Sequence, residues 1–289
     1  MSLDIIYLVL TIVFTVLIIL TNAILISVVL SSDKLRYSSK HLMLASLSIG
    51  DIIMGLYVGP VLIDVSMWSR PMICHAQLAL EVTYSIVVPF VTTMSIAMLN
   101  LDYIVNIGSE CYGTGKIQYC MKSVLLLLPW LLGIGVMVPL FLLAIENLGS
   151  TCSFLFDISE LQHLFLIVTY FPAAFLVVVT SLAAVFTYRC MWRSIRLTDT
   201  RPLYIDMQPP TDVCSASFLT ILLYSPIAVM LAFGNDIIKC PNLEENCDAF
   251  CWIQVVAQIL FIAKSFILPF IWIKCTYLRK AAKKLVEKA

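Results

Sequence analysis

The chain alternates between long apolar stretches and short polar segments that carry most of its charges. Each apolar stretch has the roughly 20 or more residues that an α-helix needs to cross a bilayer, and none shows the short alternating pattern of membrane β-strands. The pattern predicts one all-α membrane domain over residues 1–289, with seven spans at about 5–31, 41–66, 75–106, 119–144, 160–190, 213–238 and 250–273. The first stretch is too long for a cleaved signal peptide, so we expect it to remain.

Composition agrees with this pattern. Hydrophobic residues make up 61% of the chain and charged residues 12%, whereas soluble domains are about 45–50% apolar and about 25% charged. The formal net charge is zero and no basic domain occurs, so we expect no nucleic-acid partner. The three histidines, His41, His75 and His163, are scattered without metal-ligand spacing, and we expect neither an enzyme nor a metal site.

Lys and Arg residues set the expected orientation in the membrane. Most of the eighteen lie after the first, third and fifth predicted spans and in the C-terminal tail. By the positive-inside rule these segments face the cytoplasm, so the N-terminus is outside and the C-terminus inside. The tail also has Leu278 and Leu285 among its lysines, which predicts an amphipathic helix over 275–287 that lies on the lipid of the inner leaflet.

Several short motifs stand within the predicted spans. They are Asn22 in Thr-Asn-Ala-Ile-Leu, Asp51 in Leu-Ser-Ile-Gly-Asp, Trp130, Pro172, Tyr224-Ser225-Pro226 and Leu268-Pro269. Their order and spacing resemble those of the rhodopsin-like family of G-protein-coupled receptors over nearly the whole chain. The resemblance implies a seven-helix receptor of the plasma membrane that binds a small ligand within the bundle and signals to a heterotrimeric G protein or another cytoplasmic effector.

The sequence departs from the family where the receptor meets its effector. Asp102-Tyr103 stands where the family has Asp-Arg-Tyr, Leu268 replaces the Asn before Pro269, and Trp272 replaces the Tyr after it. The resemblance implies that Asp102, Tyr103, Pro269 and Trp272 form the coupling switch, without the family's arginine. A receptor that couples and a non-coupling decoy or scaffold receptor both stay open.

The third span is also about four residues longer between Cys74 and Asp102 than the family pattern. Because four residues are slightly more than one helical turn, the helix faces are nearly preserved. We expect a bulge or kink at Pro89 to absorb the extra length.

Cysteines on the expected outer side suggest two disulfides. The resemblance implies a bridge between Cys74 and Cys152, which would hold the second outer loop over the pocket mouth. Cys240 and Cys247 lie close in sequence and would form a local bridge, with Cys251 left over.

Asp51 and Lys264 are charged residues at membrane depth, where an unpaired charge is costly. The resemblance implies a sodium ion at Asp51, and Lys264 and Ser265 stand where the seventh span would help to hold it. We hypothesise that the Lys264 ammonium lies beside Asp51 and replaces the sodium ion, because opposite buried charges are far less costly together than apart.

Glu81, a third acid within the spans, lies seven residues after Cys74. This spacing matches the aspartate that binds protonated amines in aminergic receptors, and aromatic walls would add cation–π contact. The predicted pocket contains Glu81, Tyr84, Glu146, Tyr224 and Gln258. The alternative is that Glu81 bonds a neighbouring helix or reaches the outer interface and binds no ligand.

Lys264 also resembles the retinal-bearing lysine of opsins, which would make the chain a photoreceptor. The opsin lysine lies about two residues further from its proline, which places it about 200° around the helix. The receptor alignment therefore explains this segment better, and retinal stays the alternative cofactor.

Overall fold

Helical backbone makes up nearly all of the chain that the computed structural model describes, which is residues 3–67, 83–112, 115–146, 159–198, 209–237 and 247–287. The helices are α1 (Leu3–Ser31), α2 (Asp33–Arg36), α3 (Ser39–Met67), α4 (Val88–Tyr112), α5 (Gly115–Glu146), α6 (Ser159–Thr198), α7 (Thr211–Ile237), α8 (Cys247–Trp272) and α9 (Thr276–Val286). No strand occurs within these ranges. The all-α class is confirmed.

Several of these helices have the length and composition of membrane spans. Within the described ranges, four segments qualify by length and composition alone: Val9–Ser31, Val88–Ile107, Thr169–Arg193 and Thr211–Val229. A fifth results if the bent pair of Ile259–Trp272 and Thr276–Leu285 is taken as one span. Seven spans and their orientation remain predictions.

The outward faces of the long helices are apolar. In α1, Val9, Val13, Val16, Leu20 and Ile24 are between 47% and 59% exposed. Their spacing of three or four residues places them on one helix face. A wide apolar face left open is unusual for a soluble protein and is suited to contact with lipid.

Helix α4 lies at the centre of the packing. All its residues from Val91 to Asn100 are buried, and it contacts α3, α5, α6 and α7. A single π-helical turn, Thr83–Val87, leads directly into it. Pro89 lacks the N–H that would continue the α-helical ladder toward this turn, so a widened turn lies beside the residue where we expected a bulge or kink.

Pro226, within α7, is accommodated by a neighbouring hydroxyl. Pro226 leaves the carbonyl of Leu222 without its helical N–H donor. The hydroxyl of Ser225 donates to the Ile221 carbonyl at 2.5 Å and lies 3.5 Å from that of Leu222. Such side-chain bonds let membrane helices keep proline.

Helix α9 turns sharply away from α8. The angle between Ile259–Trp272 and Thr276–Leu285 is 91°. Leu278 of α9 is 2% exposed and packs into the core, whereas Lys280 and Lys284 are exposed. The helix therefore has the separate apolar and basic faces predicted for 275–287.

Close packing between α4 and α5 depends on Gly133, where an added Cβ would lie 2.3 Å from Cγ2 of Val91. We expect Gly133→Ala to lower the free energy of unfolding by about 1–3 kcal/mol because the core would be overpacked. Gly135, on the same helix, has no neighbour within 4 Å of such a Cβ. Thermal unfolding of purified protein compares the two, with Gly135→Ala as the control. Equal losses in both variants would contradict this account of Gly133.

Candidate functional site

The predicted ligand pocket lies mostly outside the described side chains. Glu81 falls in the undescribed range 68–82, and Tyr84, Glu146 and Gln258 are described by their backbone alone. Tyr224 is 3% exposed. Its ring packs against those of Tyr170 and Phe261, with centroids 4.6 and 5.3 Å away. An aromatic cluster therefore surrounds the one predicted pocket residue whose side chain is described.

An apolar groove runs between α7 and α8 beside this cluster. Its volume is about 570 Å³, and it is lined by Ser225, Pro226, Val229, Ile253, Val256, Ala257 and Leu260. Ile253 and Val256 are at least half exposed. The groove therefore opens on the apolar outer surface, and Tyr224 does not line it.

The three residues predicted to form a charge site lie together. Asp51 of α3 and Lys264 and Ser265 of α8 are each 1% exposed. The hydroxyl of Ser265 donates to Oδ1 of Asp51 at 2.5 Å. The ammonium of Lys264 donates to Oγ1 of Thr92 in α4 at 2.9 Å and lies 5.6 Å from the ring centroid of Phe261.

Asp51 and Lys264 interact across the site without touching. Between these two described side chains no nitrogen–oxygen distance falls within 4.0 Å, although the charges are close enough to interact electrostatically. The oxygens of Asp51 and Ser265 are of the type that hard cations prefer. The ammonium of Lys264 already supplies a positive charge to the same buried region.

Asn22 connects α1 to this site. Its Nδ2 donates to the backbone carbonyl of Ser265 at 3.0 Å and to that of Ile18 at 2.9 Å. Trp130 of α5 donates from Nε1 to the hydroxyl of Ser46 in α3 at 2.8 Å. Thus three motif residues from different helices each have a polar contact with another helix. They are Asn22, Asp51 and Trp130.

A second buried polar cluster surrounds Asn100 of α4, which the sequence analysis missed. Its Nδ2 lies 3.0 Å from the hydroxyl of Ser217 in α7, and 3.1 and 3.3 Å from those of Ser181 and Thr180 in α6. Asn100 is fully buried. An amide in an otherwise apolar span was the available signal, because such groups mark contacts between helices.

Asp102 of the predicted switch is 2% exposed. It accepts hydrogen bonds from the hydroxyl of Ser39 in α3 at 2.6 Å and from Nδ2 of Asn106 at 2.9 Å. Neither donor was found from the sequence. Both of these donors are neutral side chains, one on α3 and one on α4 itself.

The other switch residues lie at the same end of the helices. Tyr103 is partly buried near Tyr188 of α6 and Asp212 of α7. Trp272 is 1% exposed and belongs to the core cluster that includes Leu99, and Pro269 is buried beside it. Only Tyr103 among these three therefore has appreciable exposure.

Both predicted disulfides lie outside the described side chains. Cys74, Cys152 and Cys240 fall in undescribed ranges, and Cys247 is described by its backbone alone. Of the described cysteines, Cys190, Cys214 and Cys275 are unpaired. Within the same ranges, no group of three or more His, Cys, Asp or Glu residues could hold a metal ion.

No protein-family model matches the chain, and no curated protein matches it. Support for a functional assignment therefore comes from the motifs, their spacing and the contacts between them.

Proposed function

We propose that this chain is a seven-span receptor of the plasma membrane, related to the rhodopsin-like family, with its N-terminus outside. It takes a small ligand between the helices and signals to a heterotrimeric G protein or another cytoplasmic effector. The observation that carries the proposal is the meeting of motif residues from different helices. Asn22 and Asp51 both contact Ser265, and Trp130 contacts Ser46.

These contacts are suited to signal transmission as well as to stability. Buried polar groups in membrane helices are costly unless they are satisfied. Here the partners belong to four different helices, so a ligand that shifts one helix changes the hydrogen bonds of the others. Packed helices with alternative sets of contacts are a common device for transmitting a conformational change.

The proposed ligand is a protonated amine, with Glu81 as its anchor. A carboxylate in a low-dielectric pocket attracts an ammonium group strongly. Three aromatic rings, from α6, α7 and α8, pack against one another: those of Tyr170, Tyr224 and Phe261. Aromatic faces of this kind favour cationic ligands.

A cell-based G-protein activation panel, run with a library of biogenic amines, tests this proposal. We expect an amine to activate at least one G-protein class, and Glu81→Gln to reduce its potency by about 10–100-fold because a charged hydrogen bond is lost. Glu160→Gln, at another acid of the expected outer side, is the control. Equal potency in all three proteins would exclude Glu81 as the anchor.

A receptor that binds without coupling is the second candidate, and the identity of Tyr103 favours it. The family's arginine is absent there, and Tyr103 is partly buried among its neighbours. Amine binding measured with a radioligand, together with silence in every G-protein class, would support this candidate. Retinal is less suited, since the Lys264 ammonium is buried and hydrogen-bonded to Thr92.

A further inference from the structure

A proline and a change of helical pattern meet at the start of α4. In the π turn Thr83–Val87 a carbonyl pairs with the N–H five residues on, whereas in α4, from Val88, it pairs with the N–H four residues on. Pro89 would serve the carbonyl of Tyr84 in the first pattern and that of Ser85 in the second. Because proline has no N–H, both carbonyls lose the donor that the helix would supply.

A replacement donor stands before Pro226 but not at the same place before Pro89. The hydroxyl of Ser225 lies 2.5 Å from the carbonyl four residues earlier and 3.5 Å from the carbonyl three residues earlier. The residue before Pro89 is Val88, whose side chain has no donor. The hydroxyl of Thr92 donates to the carbonyl of Pro89 itself, at 3.1 Å. The two carbonyls of the π turn are therefore suited to accept hydrogen bonds from a group outside their own helix.

The π turn lies inside the group of helices, next to the aromatic cluster. It contacts α3, α5 and α6. Val88 is buried and belongs to the same core cluster as the three aromatic rings packed around Tyr224. Tyr84 precedes Val88 by one turn, and Glu81, the proposed ligand anchor, precedes Tyr84 by three residues. Along the chain, the two carbonyls therefore stand between the aromatic cluster and the proposed anchor.

We propose that the backbone carbonyls of Tyr84 and Ser85 form an acceptor site for the N–H groups of a protonated amine, so that the chain selects primary amines over quaternary ones. The proposal rests on the proposed receptor function, since it names the class of amine that the receptor takes. A primary ammonium group has three N–H donors, so it can bond to the Glu81 carboxylate and to a carbonyl together. A trimethylammonium group has the same charge but no N–H. It keeps the attraction to the carboxylate and to aromatic faces, and it loses the bonds to the carbonyls.

Thermal unfolding of the purified full-length protein in detergent tests the acceptor site, with phenethylamine and its trimethylammonium analogue as the probes. A ligand that binds the folded state raises the unfolding temperature, and the dependence of this rise on ligand concentration gives the affinity. We expect the native protein to bind the primary amine about tenfold more tightly, because the analogue lacks the charged N–H donors. Equal affinities for the two probes, or no rise with either of them, overturn the acceptor site.

Val88→Thr is the matched variant, because it places a hydroxyl before Pro89 as Ser225 does before its own proline. This hydroxyl would donate to the carbonyls three and four residues earlier, so we expect the preference for the primary amine to disappear. Val91→Thr is the control, since the carbonyls one turn before it keep their helical donors, and the preference is expected to remain. Pro89→Ala restores the N–H and is expected to act as Val88→Thr does. A preference that persists in both Val88→Thr and Pro89→Ala overturns the acceptor site, because the bulk of the methyl groups would then explain it.

Glu81→Gln separates the acceptor site from the proposed anchor. We expect this variant to bind both probes more weakly and to keep the preference for the primary amine, which supports both parts of the site. If Glu81→Gln binds both probes as the native protein does, while Val88→Thr loses the preference, the acceptor site stands and Glu81 is not the anchor. If the native protein binds the two probes equally and Glu81→Gln weakens both, the anchor stands and the acceptor site is overturned.

Discussion

Lys264→Met is expected to lower the free energy of unfolding by about 3–5 kcal/mol, because it leaves the Asp51 carboxylate buried without a nearby cation. Both residues are 1% exposed, so water cannot readily replace the lost ammonium. The Thr92 hydroxyl would also lose its donor. Unfolding of detergent-solubilised protein by heat or by denaturant measures this loss of stability.

The matched comparison is the double variant Asp51→Asn with Lys264→Met. Replacing both charges removes the unpaired carboxylate, so we expect the double variant to be more stable than Lys264→Met alone. Met is close to Lys in length and fills the same space. Asp51→Asn is also measured alone. If the losses of Lys264→Met and Asp51→Asn simply add in the double variant, the two charges do not stabilise each other.

Tyr103→Arg is expected to raise G-protein activation at least about fivefold, at the low end of typical coupling free energies. Tyr103 is partly buried near Asp212 and offers the effector no positive charge. An arginine would supply a planar, permanently charged group at the expected effector face. The measurement is the same cell-based panel, with surface expression determined for each variant.

Tyr103→Phe keeps the aromatic ring without adding charge and is the control for this substitution. A rise in both variants would point to loss of the Tyr hydroxyl and not to gain of a cation. Silence of Tyr103→Arg in the presence of amines that bind would count against a simple repair of the coupling switch.

The sequence predicted the helical class. It also predicted that several residues would share a site. Asp51, Lys264 and Ser265 were recognisable because charged or polar groups are rare in apolar spans and need partners there. The helix ends were less predictable. Helix α6 extends from Ser159 to Thr198, beyond the predicted 160–190, because a helix continues into water after its apolar run ends.

The hydroxyl partners could not be found from the sequence. Ser39, Ser46 and Thr92 each bond a predicted residue, yet serine and threonine are common in membrane helices and often bond only their own backbone. Periodicity gives the face of a helix but not the rotation that selects its partner.

The amide of Asn100 has a consequence for how α6 and α7 move against each other. Its Nδ2 carries two hydrogens but lies within 3.3 Å of three hydroxyls. The hydroxyls of Thr180 and Ser217 donate to the backbone carbonyls of Leu176 and Val213, one turn earlier, so their oxygens can act as acceptors here. Two hydrogens can form two linear hydrogen bonds, so the third acceptor has to share a hydrogen with another. We therefore expect that a small shift of α7 along α6 would exchange one acceptor of the amide for another without leaving its hydrogens unbonded.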